Sequence, residues 1–262
     1  MRVTILGSGT LLPDHRRNSA GHCVQTGGAT ILLDCGAGVL QGLHGFLRWQ
    51  DVTHIALSHF HTDHVGDLPP LLFAFCHGLE RERVEPLWIL GPPGLLSWLD
   101  RLAEAHGEYI LDPGFPLEVR EIPRDGSWSD AEGRFRLSTH PTVHNDESVA
   151  YRLESGEGVM GYTGDTGPST SLAEFLAGVG LLIAECAIPD PPEIATHLSP
   201  AGVAEMARIA CPDLLVTTHT SPPLDPERVP ELILQAGHGG ATMAGQDGMS
   251  FSVEGSRAAF QA

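Results

Sequence analysis

The sequence predicts an α/β fold of two stacked sheets with helices on their outer faces, and three observations carry that expectation. Short apolar runs alternate with helical spacing almost from end to end, as layered α/β architectures require. The second half repeats the logic of the first, which implies two α/β halves. At 262 residues the chain can bury one large core, and no linker-like stretch divides it, so a single domain over residues 1–262 is expected.

In chain order, Val3–Leu6 reads as a strand ending in Gly7-Ser8-Gly9, and Thr30–Asp34 as a second ending in Cys35-Gly36. Val39–Leu47 has helical spacing, and His54–Leu57 is a buried strand. Leu68–Cys76 and Gly94–His106 read as helices, separated by the strand Leu87–Leu90 and the turn Gly91-Pro92-Pro93-Gly94. In the second half, strands are expected at Leu117–Ile122, Phe135–Thr139, Val149–Leu153, Val159–Thr163, Leu181–Ala184 and Leu214–Thr217. Ser171–Ala177, Pro200–Ala210 and Pro226–Gln235 read as helices, and Met249–Val253 as a closing strand.

Composition narrows the function. The formal charge of −18, with no lysine among the cations, opposes binding of long polyanions, which rests on cations neutralising phosphates. The five cysteines are scattered and never spaced as CxxC, so neither a disulfide framework nor a thiolate metal site is expected. No apolar run approaches the ~20 residues of a membrane span, and the start, MRVTILGSGT, has no leader-like basic flank. A cytoplasmic chain without a membrane partner follows as an expectation.

The chemistry concentrates in Ser58-His59-Phe60-His61-Thr62-Asp63-His64-Val65-Gly66-Asp67, directly after a predicted strand. Its HxHxDH core offers four donors, His59, His61, Asp63 and His64. Imidazole with carboxylate suits zinc, and a loop turning into a helix can aim alternate side chains at two neighbouring ions. One loop cannot surround two ions, so further donors must come from distant loops. His144, Asp165 and His219 each follow a strand-like run. Asp165, with two oxygens, is the candidate bridge, capping of the following helix being the alternative.

These motifs resemble the metallo-β-lactamase superfamily, and within it the ribonuclease Z-like branch. The HxHxDH cluster points to the superfamily. Gly7-Ser8-Gly9, Leu33-Asp34-Cys35-Gly36, Tyr162-Thr163-Gly164-Asp165-Thr166 and His197-Leu198-Ser199, in that order, point to the branch. The resemblance implies a four-layer αββα sandwich holding two metal ions, zinc by donor type, with manganese or iron as alternatives. It implies that His59, His61 and His144 hold one ion and Asp63, His64 and His219 the other, with Asp165 between them. His140 is the rival for His144. Asp34 resembles the family's buried aspartate under the histidine loop. His197 matches a proton-donating histidine and Glu185 its orienting partner, although Ala184 stands where the family often has a histidine. Asp63 is counted with His197 among the catalytic residues.

The implied activity is hydrolysis by water activated between the two ions, with a small-molecule ester as substrate and a phosphodiester as the leading choice. Promiscuous phosphotriester, aryl sulfate or lactone hydrolysis is the alternative, as is ribonuclease Z-like cleavage at the tRNA 3′ end; a metal-bearing sensor or interaction domain is the non-enzymatic one. Ribonuclease Z carries a long basic arm between the third-histidine strand and the GDT strand, whereas only residues 153–160 separate Arg152 from Gly161 here. That shortness disfavours tRNA. Arg16 and Arg17 are candidates to face an anionic substrate, and a homodimer is what the branch implies. The other histidines, His15, His22, His44, His54, His77, His106 and His238, are expected to be structural.

Overall fold

Strands β1 (Arg2–Gly7), β2 (Gly21–Thr26) and β3 (Ala29–Leu33) pair antiparallel in a meander. The computed structural model describes residues 1–79 and 82–261. From β3 the sheet continues in parallel through β4 (His54–Ala56), β5 (Leu87–Gly91) and β6 (Leu117–Glu121). Helices α1 (Val39–His44), α2 (Thr62–Val65), α3 (Leu68–His77) and α4 (Leu95–His106) occupy the crossovers.

The second sheet begins with the antiparallel β7 (Gly126–Ser129), β8 (Phe135–Pro141), β9 (Val149–Ser155) and β10 (Val159–Tyr162). It proceeds in parallel to β11 (Leu181–Glu185), β12 (Leu214–Thr218) and β13 (Thr242–Ala244), by way of α5 (Thr170–Phe175), α6 (Pro200–Ala210) and α7 (Val229–Gln235). The final hairpin, β14 (Ser250–Glu254) and β15 (Arg257–Gln261), crosses back and pairs β14 with β1. The first sheet is therefore ordered β15-β14-β1-β2-β3-β4-β5-β6 and the second β13-β12-β11-β10-β9-β8-β7.

Period-two alternation sorts the apolar side chains into three layers. Ile31 and Leu33 of β3 and Ile183 of β11 face the space between the sheets, with Tyr151 and Leu153. Leu32 points outward, under Leu43, Leu71 and Phe75 of the helices on the first sheet. Leu182 and Ala184 point outward on the other side, beneath Leu172, Val203 and Ile233. Two inner sheets covered by helices on both sides make the four layers expected.

Some expectations are corrected. The halves are not contiguous in sequence, because the predicted closing strand belongs to the first sheet. Strands β2, β7, β13 and β15 are not expected from the sequence, and three of these four lie at sheet edges. Short edge strands carry little apolar pattern to detect. Helix α1 stops at His44, short of Leu47, and the predicted helix from Pro226 begins as a 3₁₀ turn over Pro226–Arg228. Asp34 is not the end of β3: its φ of 60° turns it out of the strand. Among the described residues no helix is long and apolar enough to cross a membrane.

The topology decides where chemistry can gather. β3, β4, β10, β11 and β12 run so that their carboxyl ends meet one edge of the sandwich. The loops that follow them carry Asp34, the His59–His64 run, Asp165, the 186–199 segment and His219.

Candidate metal centre and catalytic cleft

Asp34 is the post on which the histidine loop is built. It is fully buried. Its Oδ1 accepts from the Ser58 amide at 2.7 Å, and its Oδ2 from Ser58 Oγ at 2.8 Å and Tyr162 OH at 2.6 Å. The same Oδ2 lies 2.7 Å from His64 Nδ1, so that ring donates from Nδ1 and turns Nε2 toward the cluster. The Cys35 amide donates to His64 O and the Asp67 amide to Cys35 O. Gly36 permits that clamp, because a Cβ there would sit 2.1 Å from Asp63 O. Gly164, at φ +55°, makes the matching turn before Asp165.

Two donor groups form side by side. One ligating atom from each of His59, His61, His144 and Asp165 lies within 4.8 Å of the others, and the same holds for Asp63, His64 and His219. Asp165 reaches toward both: its Oδ2 is 3.8 Å from His59 Nε2 and 3.7 Å from His144 Nε2, and its Oδ1 is 3.3 Å from His64 Nε2 and 3.5 Å from His219 Nε2. His144 is held by Thr196 O, 3.2 Å from its Nδ1. His219 adopts φ 56°, a conformation uncommon for a residue with a Cβ and worth a functional reading, and its amide donates to Ser8 O of the Gly7-Ser8-Gly9 turn.

The electrostatics fit a cation. Burial, with the neighbouring imidazoles second, pushes His59 well below the ordinary histidine range, leaving it a neutral donor. Burial would raise Asp165, but His219 and His64 outweigh it and hold the carboxyl well below its usual value. His59 Nε2 and Asp165 Oδ1 are buried without a hydrogen bond of good geometry, and imidazole nitrogens face one another at 3.3 Å (His64 to His219) and 3.1 Å (His144 to His61). Buried polar atoms are normally paired, and divalent ions would satisfy these convergent donors. The fold and the donor set are those of a divalent-metal site.

His197 stands beside the donors on the loop after β11. Its Nδ1 is 2.9 Å from Glu185 Oε1, whose carboxylate also accepts from the Thr166 amide at 2.6 Å and the Leu198 amide at 3.2 Å. Burial would lower His197, and the bond to Glu185 overrides it and raises the imidazole above its ordinary value. The capping alternatives fall to other residues: Ser199 caps α6 and Ser169 caps α5. A ligating atom of His197 also groups with Asp165 and His219. The cleft above, of ≈ 260 Å³, is lined by His61, Asp63, His144, Asp165, His197 and His219 among others.

Other candidates lie elsewhere. His140 donates from Nδ1 to Pro141 O at 2.8 Å and packs on Phe175, apart from the donor groups. Arg17 does not face the cleft. It donates to Ser8 Oγ, Gly245 O and Glu227, and with Arg16 it lines a separate cavity. Ser58, Tyr162 and the Thr196 carbonyl were not singled out in sequence; Tyr162 stands inside a quoted motif, but a phenol bonded to an aspartate 128 positions away leaves no local signal. His22 buttresses that phenol, edge-on at 4.9 Å, with burial lowering it to about 4.

Because Asp34 gathers donors only, Asp34→Asn would turn an amide NH₂ toward some of them. Metal retention should fall about 10- to 100-fold, read by chelator competition; unchanged affinity would remove Asp34 from this role.

Comparison with known proteins agrees with the geometry. The family model described as the beta-lactamase superfamily domain matches residues 29–220. The ribonuclease Z of Mycobacterium sp. (strain KMS) is 31% identical over 248 residues, covering 86% of each chain. The metallo-beta-lactamase fold protein YhfI from Bacillus subtilis superposes with a TM-score of 0.81 at 23% identity, covering 95% of this chain and 97% of that one. The short form of human tRNase Z gives 0.77 at 23% identity, covering 97% and 99%.

Proposed function

We propose a function from one premise: the chain belongs to the beta-lactamase superfamily, in its ribonuclease Z-like branch. It is a metal-dependent hydrolase of phosphoester bonds. Our reading makes it a phosphodiesterase acting on small substrates, and the observation that supports it is the pair of donor groups meeting at Asp165 on the floor of an open cleft.

In this reading His59, His61 and His144 would hold one ion and Asp63, His64 and His219 a second, with Asp165 shared. When bound, two divalent ions, zinc by donor type, supply Lewis acidity and an acidified water. Asp34 keeps His64 oriented through Nδ1, and Thr196 O does the same for His144. Asp63, whose Oδ2 lies 3.2 Å from His219 Nε2, would share the second ion with that ring and orient the water. Glu185 holds Nδ1 of His197, leaving Nε2 to protonate the departing oxygen.

The substrate size follows from the loop between β9 and β10. Only residues 156–158 separate these strands, closed by the Ser155 amide donating to Gly158 O at 3.0 Å. Glu157 at this turn pairs with the chain's amino terminus. A tight acidic turn offers nothing to a polyanion, and the charge of −18 without lysine points the same way. Cleavage at the tRNA 3′ end is the second reading, favoured by the relatives named ribonuclease Z.

Metal-loaded protein should therefore hydrolyse bis(p-nitrophenyl) phosphate with a higher kcat/KM than it shows on precursor tRNA. Efficient site-specific trimming of precursor tRNA in matched kinetics would reverse that order and favour the second reading. No turnover of any phosphomono-, di- or triester, sulfate ester or lactone would return the chain to a sensor or interaction role. Light scattering tests the accompanying proposal of a homodimer.

A further inference from the structure

The cleft has an ionic floor and apolar walls. Leu11, Ile188 and Ile194 line it above the donors, with Leu11 70% and Ile194 49% exposed. Single exposed apolar side chains are ordinary, but these share one concavity with the reacting centre. Among the described residues no arginine lines that concavity; the arginines closest to Leu11 in sequence face another cavity.

The walls are braced. Thr10 Oγ1 accepts from the Leu12 amide at 3.2 Å and from Ser221 Oγ at 3.4 Å, tying the Leu11 loop to the segment after His219. The Ala187 and Ile188 amides both donate to Leu198 O, and Asp190 Oδ2 accepts from the Ala201 amide at 3.0 Å. Three prolines, Pro189, Pro191 and Pro192, stiffen the chain between Ile188 and Ile194. A wall already held in place loses little freedom when a ligand covers it.

We propose that this cleft selects a phosphodiester whose retained arm is a short alkyl or single aryl group, seated against Leu11, Ile188 and Ile194. This rests on the phosphodiesterase reading above and narrows its substrate class. Water's oxygen forms the new bond to phosphorus, the departing arm leaves as an alcohol carrying a proton, and the apolar arm stays on the phosphomonoester product. The single anionic phosphodiester matches a site whose only cationic charge beyond histidine, among the described residues, would be the metal. A nucleic-acid strand brings further phosphates that need cations along their path, and the walls provide none. At ≈ 260 Å³ the cleft sits below the usual volume of drug-sized sites, which suits a short arm.

Binding measured apart from turnover tests this. Titration calorimetry of methyl-, propyl- and pentylphosphonate with the metal-loaded protein should show Kd falling about three- to four-fold per methylene, the effect of burying that group. The double variant Leu11→Ser/Ile194→Ser should flatten the gradient. Leu234→Ser, which alters a side chain 61% exposed on α7, should leave it intact. A flat gradient in the parent protein, an equal loss in Leu234→Ser, or tighter binding of a dinucleotide than of pentylphosphonate would overturn the proposal. So would a dimer that Leu11→Ser dissociates while the gradient persists, since the patch would then serve a second copy. A gradient without turnover of any phosphodiester keeps the apolar subsite and removes the hydrolytic reading instead.

Discussion

Asp165→Ala is expected to bind fewer than two metal ions per chain and to lose at least ~10³-fold in kcat/KM, the equivalent of the several kcal/mol that a metal-bound charge contributes in such sites. The size follows from position. Among the described residues Asp165 is the one carboxylate whose two oxygens approach opposite donor groups, Oδ2 toward His59 and His144, and Oδ1 toward His64 and His219. Alanine would leave five imidazoles with Asp63 as the one carboxylate remaining in the two donor groups to balance the ions. Helix α5 should survive, since Ser169 caps it. Elemental analysis of dialysed protein, with circular dichroism as a control for folding, reads the metal content, and phosphodiester kinetics read the loss. The parent protein should hold about two ions per chain. Two-metal occupancy with full activity in the variant would refute the shared-carboxylate assignment.

His197→Ala should lower kcat by ~10²–10⁴-fold, the range for a positioned general acid, while metal content is unchanged. The histidine is tethered by Glu185 through Nδ1, and its ring lies nearly parallel to that of His219 at 6.0 Å. It is therefore close enough to the donors to be mistaken for one. A leaving-group series separates the roles. A nitrophenolate departs without a proton whereas an alkoxide needs one, so the deficit should shrink as the leaving group improves. Glu185→Gln should show the same trend in weaker form, because a neutral amide still accepts from Nδ1 but no longer supports the imidazolium. Loss of metal from His197→Ala would make it a ligand, and full activity on poor leaving groups would make it a bystander.

Local pattern carried the strands with dense apolar runs and the helices with clear spacing, such as α6, whose boundaries over Pro200–Ala210 agree with the reading. It carried less at the edges, where β7, β13 and β15 present few apolar side chains to a core. It also misjudged Arg17, because nothing near that residue in sequence announces Gly245 and Glu227 as its partners.

The sequence by itself determined which groups have metal-binding chemistry. Four donors crowd into HxHxDH, and His144, Asp165 and His219 stand at strand ends where a loop must begin. What only the tertiary structure decided is that these loops share one edge. His64 and His219 are separated by 155 positions yet their Nε2 atoms lie 3.3 Å apart, because parallel strands from two sheets deliver their carboxyl ends to the same side. It also placed apolar walls over that edge and turned Arg16 and Arg17 toward another cavity. Donor chemistry is a property of each residue and is legible locally, whereas convergence depends on strand order and sheet stacking, which are set by packing the apolar faces of the whole chain.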